Sequence, residues 1–331
     1  MHPNNSQNTI WFQLTALWAF VEATLGGVLH ALHIPLTGLL VGGSAVAIIS
    51  IMAHNNKNAT QEILKATLIV ILVKVTASPH SPPPAYIAVA FQGLIGVFIF
   101  KVLPVYNLAT IVFAIIAMLE SAMQKILVLT LIYGTSIFKA IDKTVSGLTK
   151  EFGLETNVSS WILGAYISLY VFWGMIIGAR MGTLPKRMSR LNQNRNSLSG
   201  ITTNELKPKT TSPKRKKPFW IIYSVTLFLM LSILYISDSD KSNVLAVFVR
   251  SITATLLIYL LVNPLFKWLL AKKVKDNKYS AAVNQIMLEF NQLKQEYLHC
   301  VQVAKKFHTP FLRYFIGIEY LIAFKVENRI N

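Results

Sequence analysis

Three charged side chains and one amide sit inside otherwise apolar runs: Glu22 in VEATL, Lys74 in LVKVT, Gln92 in AFQGL and Glu120 in MLESA. An ionisable group within a hydrocarbon-length segment is costly and faces a cavity or a partner, so these four are the sharpest chemical signal in the chain. At 1.5 Å rise per residue, Glu22, Lys74 and Glu120 each lie about 18–20 Å from the cytoplasmic start of their own run. Gln92 falls near the same level. One Lys between two Glu at one depth predicts a buried ion pair or triad, because an unpaired charge there costs several kcal/mol. Two roles fit such a layer: a polar floor beneath an outward-facing pocket for a small-molecule ligand, or an internal clamp that fixes helix packing.

A histidine stripe climbs from this layer. Glu22, Gly26, His30 and His33 share an arc of about 80° if the first helix continues that far. His80 in SPHSPPP arrives at the same outer surface. Neutral imidazoles suit nickel, cobalt or zinc, so His30, His33 and His80 are candidate metal ligands as well as candidate ligand-binding groups. They could equally hydrogen-bond the carboxylate of an organic ligand or sit wet at the interface. With no GxSxG, HExxH or GxxxxGK[ST] in the chain, no catalytic role, no cofactor and no ATPase activity is expected.

These residues need membrane-spanning helices to hold them. Of 331 residues, 53% are hydrophobic and 14% charged, well below the charge of an ordinary soluble chain. About 20 apolar residues cross a bilayer as a helix, and the pattern predicts an all-α polytopic protein of about eight transmembrane helices. Residues 1–181 form a six-helix block, with spans near 10–30, 37–53, 62–77, 85–102, 107–133 and 161–181. Two more spans lie in 219–271, near 219–236 and 244–270. Gly26, Gly27, Gly42 and Gly43 are read as letting the first two helices approach closely. Residues 134–154 read as an amphipathic helix on the outer interface.

The formal net charge of +18 is unevenly placed. More than half of it falls in residues 180–217, which are rich in Ser, Thr, Asn and Pro, and 182–218 read as a disordered cytoplasmic linker attracted to anionic lipid. Without interleaved aromatics, the run does not point to nucleic acid. The positive-inside rule then places the linker, and both termini, on the cytoplasmic side of the cell inner (plasma) membrane. Residues 272–331 read as two cytoplasmic amphipathic helices, suited to docking a partner or to lying on lipid.

Six helices with both ends inside and a pocket at the outer face resemble the substrate-binding S component of energy-coupling-factor transporters, over about residues 10–181. The AxxxA spacing of Ala19 and Ala23 is similar to the pattern by which those components dock a membrane partner subunit. Residues 219–331 resemble a shortened form of that partner, fused in the same chain. The resemblance implies uptake of a vitamin-like metabolite or a metal ion, working with separate ATPase subunits. The alternative is a non-transporting scaffold that recruits a cytoplasmic partner through its linker and tail.

Overall fold

The computed structural model describes residues 4–25, 37–54, 58–78, 81–134, 138, 142, 158–196, 249, 251–257, 260–261, 264–265, 268, 277–307 and 313–327. Among them the chain is helical, with no strand. In order these are α1 (Asn4–Phe20), a π-helical turn (Val21–Leu25), α2 (Thr37–His54), α3 (Ala59–Ala77), α4 (Pro83–Val102), α5 (Tyr106–Tyr133), α6 (Val158–Asn196), α7 (Asn277–Phe307) and α8 (Arg313–Glu327). The helix ends follow local chemistry. Pro83 opens α4 at a position where its missing N–H would have no partner anyway, and Pro104 follows its last turn.

Among the described residues three helices are long and apolar enough to cross a membrane, Pro83–Val102, Tyr106–Leu131 and Ser159–Met188, with Gly38–His54 apolar but shorter. The expected span near 219–236 lies outside the described residues, and that near 244–270 is described only in part.

Two compact units divide the chain. The larger holds residues 1–122, 170–206 and 265–331. In it α1 packs on α2 and α3, α3 packs on α4, and α2 touches both α3 and α4. Its centre is built from α1, α2 and α8, in which Leu14–Ala23, Val41–Met52 and Phe315–Ala323 are buried without interruption. A helix apolar on every side belongs inside a bundle. The peripheral helices instead turn apolar side chains outward: Ile87, Leu94 and Phe98 on α4, Leu108 on α5, Phe172 and Met175 on α6. Contiguous exposed apolar surface of this kind suits lipid.

Part-buried hydrogen-bond donors join the helices. Trp11 Nε1 donates to the Glu62 carbonyl at 2.9 Å, Trp173 Nε1 to Leu39 at 3.0 Å and the Tyr106 hydroxyl to Ser50 at 3.1 Å. Against α5, α6 presents Gly174, Gly178 and Gly182 at four-residue spacing. A Cβ built on Gly178 would stand 2.5 Å from the Ile111 Cα, so the two backbones meet where only glycine fits.

The smaller unit holds residues 123–169 and 207–264. In it Gly134, at φ 76°, closes α5 by donating its N–H to the Thr130 carbonyl at 2.8 Å. Asp142 caps the start of α6, its two oxygens accepting the Ser159 N–H and hydroxyl, both at 2.7 Å. Apart from Gly134, Phe138 and Asp142, the segment 134–154 lies outside the described residues, and with it the expected interfacial helix.

Three expectations need correction. The sixth helix does not stop at 181 but continues to Asn196, through Pro185 and into the segment read as linker. Leu184, Met188 and Leu191 are buried at helical spacing, an apolar stripe hidden among basic residues. Gly42 and Gly43 do not bring α1 against α2. Gly42 receives Met118, Ser121 and Gln92 from α5 and α4, while Gly43 receives Ile177 and Phe315 from α6 and α8. The C-terminal helices form, but they do not stand apart as a cytoplasmic tail. Helix α7 packs on α1 and α3, and α8 on α7, α1 and α2, with the Phe315 ring 6.3 Å from that of Trp173. The apolar stripe of α8 buries within the bundle because its polar members find partners there.

Candidate functional site

The π-helical turn at Val21–Leu25 carries Glu22. Such a turn widens the helix by one residue and is frequent at functional sites. From α3, Lys74 Nζ reaches the Glu22 carboxylate at 2.6 Å. Lys74 is 2% and Glu22 3% exposed, so the pair is closed to solvent. The ammonium also donates to the Ala85 carbonyl at 3.2 Å and lies 5.9 Å from the centre of the Tyr86 ring. Two hydrogen bonds and an aromatic face answer the desolvation that burial imposes on the charge. The ion pair that the sequence places at one depth is therefore formed.

The other two members are arranged differently. Gln92 lies seven residues along α4 from Ala85, hence about 10 Å deeper than the ion pair and not level with it. Thr67 confirms the offset: it is seven residues before Lys74 on α3, and it is the residue a Cβ on Gly93 would strike. Gln92 is 2% exposed. A Cβ on Gly42 would stand 3.5 Å from Gln92 Nε2, 3.3 Å from Ser121 Oγ and 2.9 Å from Met118 Cε, so α2, α4 and α5 meet here. Glu120 precedes Ser121 on α5. The polar residues thus make two tiers, the Lys74–Glu22 pair and the Gln92–Ser121 group.

Two acceptors stay open. Gln92 Oε1 and Glu120 Oε2 are buried and have no hydrogen-bond partner among the described residues. Buried polar atoms are nearly always satisfied, so each unmet one calls for an explanation, such as a ligand. Lys65 is exposed, away from the cluster. The stripe of His30 and His33, and His80 with it, lies outside the described residues; so do Gly26 and Gly27. Among the described residues no group of three or more His, Cys, Asp or Glu could hold a metal ion.

Ala19 and Ala23 are 0% and 6% exposed. Both are buried, and α7 and α8 of the same chain pack on the helix that carries Ala19.

A second charged cluster was not foreseen. Glu319 on α8 is fully buried and takes a bidentate pair from Arg180 on α6, Nε and Nη2 each at 2.7 Å. Arg187 approaches the same carboxylate at 3.4 Å and donates to the Arg180 carbonyl at 2.7 Å. Residues 139 positions apart give no periodic signal in the sequence. The glycine spacing of 174, 178 and 182 was readable and marks the α5–α6 contact. No family model, curated protein or solved structure matches the chain at a significant level.

Proposed function

We propose that this is a multi-pass integral membrane protein that captures a small molecule at the outer face, as the membrane part of an uptake system driven by separate ATPase subunits. The observation that carries the reading is a bundle interior that holds both the buried Lys74–Glu22 pair and two buried acceptors, Gln92 Oε1 and Glu120 Oε2, that nothing described in the chain satisfies. A clamp for helix packing would close on itself; buried acceptors left open suit a ligand. The outward apolar faces of α4, α5 and α6 support the membrane setting, and the architectural resemblance to S components supports the division of labour with ATPases.

The packing of α7 and α8 on α1 supports a fused reading, in which C-terminal helices serve in cis where a separate subunit would otherwise dock. It also weighs against a scaffold, which needs a tail free to recruit its partner.

The test is affinity purification of the full chain in mild detergent, followed by mass spectrometry of both small molecules and proteins. A retained metabolite or metal together with nucleotide-hydrolysing subunits is expected. If no small molecule is ever retained, and Glu22→Gln or Lys74→Met changes only folding, the capture reading falls.

A further inference from the structure

Helix α7 has two faces, and the bundle uses one of them. Val283, Ile286, Leu293 and Cys300 are buried on a helix that packs on α1, α3 and α8, with the Phe290 ring 5.5 Å from that of Phe20. On the opposite side Ala281, Asn284, Leu288, Asn291 and Gln295 are exposed, and Leu298 follows partly buried. Their spacing runs three, four, three, four, three. That alternation is the seam along which one helix lies on another in a left-handed supercoil, and here it extends over about 25 Å of α7. Contact with water alone imposes no such period.

The composition of the seam selects its occupant. None of its residues is charged. Lys294 stands at one margin, and Glu289 and Glu296 lie partly buried further round the helix, Glu296 paired with Lys325 at 2.6 Å. A chain of net charge +18 repels its own copies on the whole. Identical surfaces pair badly chiefly where like charges meet, and this strip brings none together. Its amides are self-complementary, because each Asn or Gln side chain carries both an N–H2 donor and a carbonyl acceptor. Such amides hydrogen-bond between helices in water and in lipid alike. Leu288, 82% exposed, gains from its own counterpart the apolar cover that the bundle does not give it. The neighbouring Gln292 is held along its own helix, its Nε2 donating to Glu296 Oε1 at 3.0 Å.

We propose that this face of α7 is the contact between two copies of the chain, paired about a two-fold axis with Leu288 and Asn291 nearest the axis. Copies in one membrane share an orientation, so the axis stands along the membrane normal. The middle of the seam then meets its own counterpart whichever way α7 is tilted. The pairing does not depend on capture of a ligand.

Two measurements on the full chain test it. The mass in mild detergent, from light scattering with the bound detergent subtracted, should be that of two copies. Leu288→Glu sets like charges on the axis and should raise the dimer dissociation constant about a hundredfold. Leu288→Lys should do the same, and an equal mixture of Leu288→Glu and Leu288→Lys should pair again, a rescue that misfolding does not allow. In native membranes, in a Cys300→Ser background, a short bifunctional maleimide should join copies carrying Leu288→Cys or Asn291→Cys, and not copies carrying Lys65→Cys, an exposed position on α3. A chain that is single in detergent and not joined in membranes overturns the proposal and leaves the face to water or to a different subunit. A two-copy mass that Leu288→Glu leaves unchanged, or joining as efficient through Lys65→Cys, puts the contact elsewhere and overturns it as well.

Discussion

The buried Lys74 ammonium is surrounded by Glu22, the Ala85 carbonyl and the Tyr86 ring. Burying a pair of charges contributes little net stability, whereas removing one partner strands the other. Lys74→Met should therefore destabilise the protein by about 3–5 kcal/mol, a cost that Glu22→Gln in the same chain relieves in part. Melting temperatures of the two variants in detergent check this, and a single variant as stable as the parent would show that Glu22 has another partner. The identity of this pair was legible in the sequence from depth alone, since a Lys and a Glu on separate apolar runs had few other places to go. Gln92 was not: counting residues from the run ends placed it level with Lys74, but the contact of Gly93 with Thr67 sets α4 two turns lower against α3. Depth read from run ends has an error of about one to two turns, and only a cross-helix contact removes it.

Helix α6 joins two different contacts. Its C-terminal half carries Arg180 and Arg187, which hold Glu319 of α8, and its glycine row at 174, 178 and 182 lies flat on α5. With a Cβ at position 178 only 2.5 Å from the Ile111 Cα, no rotamer change relieves the clash, and the helices must separate. Gly178→Val should cost about 1–3 kcal/mol, the usual range for overpacking. Gly164 on the same helix has nothing within 4 Å, so Gly164→Val should leave the melting temperature nearly unchanged. Equal losses at the two sites would point to helix propensity and not to backbone contact. The boundaries of α2, α3, α4 and α5 were readable because apolar runs ended in Pro, Gly or polar residues. The end of α6 was not, because the Lys and Arg of 186–195 outweigh in composition the three buried residues Leu184, Met188 and Leu191 that continue the helix. The placement of α8 was not legible because the partners of its Glu319 and Lys325, Arg180 and Glu296, sit on other helices.

On the scale of the whole molecule, net charge and apolar faces bear on one question, which end of each helix lies inside the cell. The surplus of the +18 lies beyond residue 180, and the outward faces of α4, α5 and α6 are apolar. Under the positive-inside rule this sets the C-terminal part of α6 in the cytoplasm, and counting back places the start of α4 outside and its end inside. Helix α4 is the best reporter because both flanks are exposed, Pro82 before it and Lys101 at its last turn. The chain has a single cysteine, Cys300, which is fully buried, so Cys300→Ser gives a background without accessible thiols. In that background Pro82→Cys should react with a membrane-impermeant maleimide on intact cells, and Lys101→Cys only after permeabilisation. The reverse pattern would invert the topology and move the open acceptors of Gln92 and Glu120 to the cytoplasmic route, which would turn a capture site for uptake into one for export. Reaction of both on intact cells would mean that α4 does not cross the membrane at all.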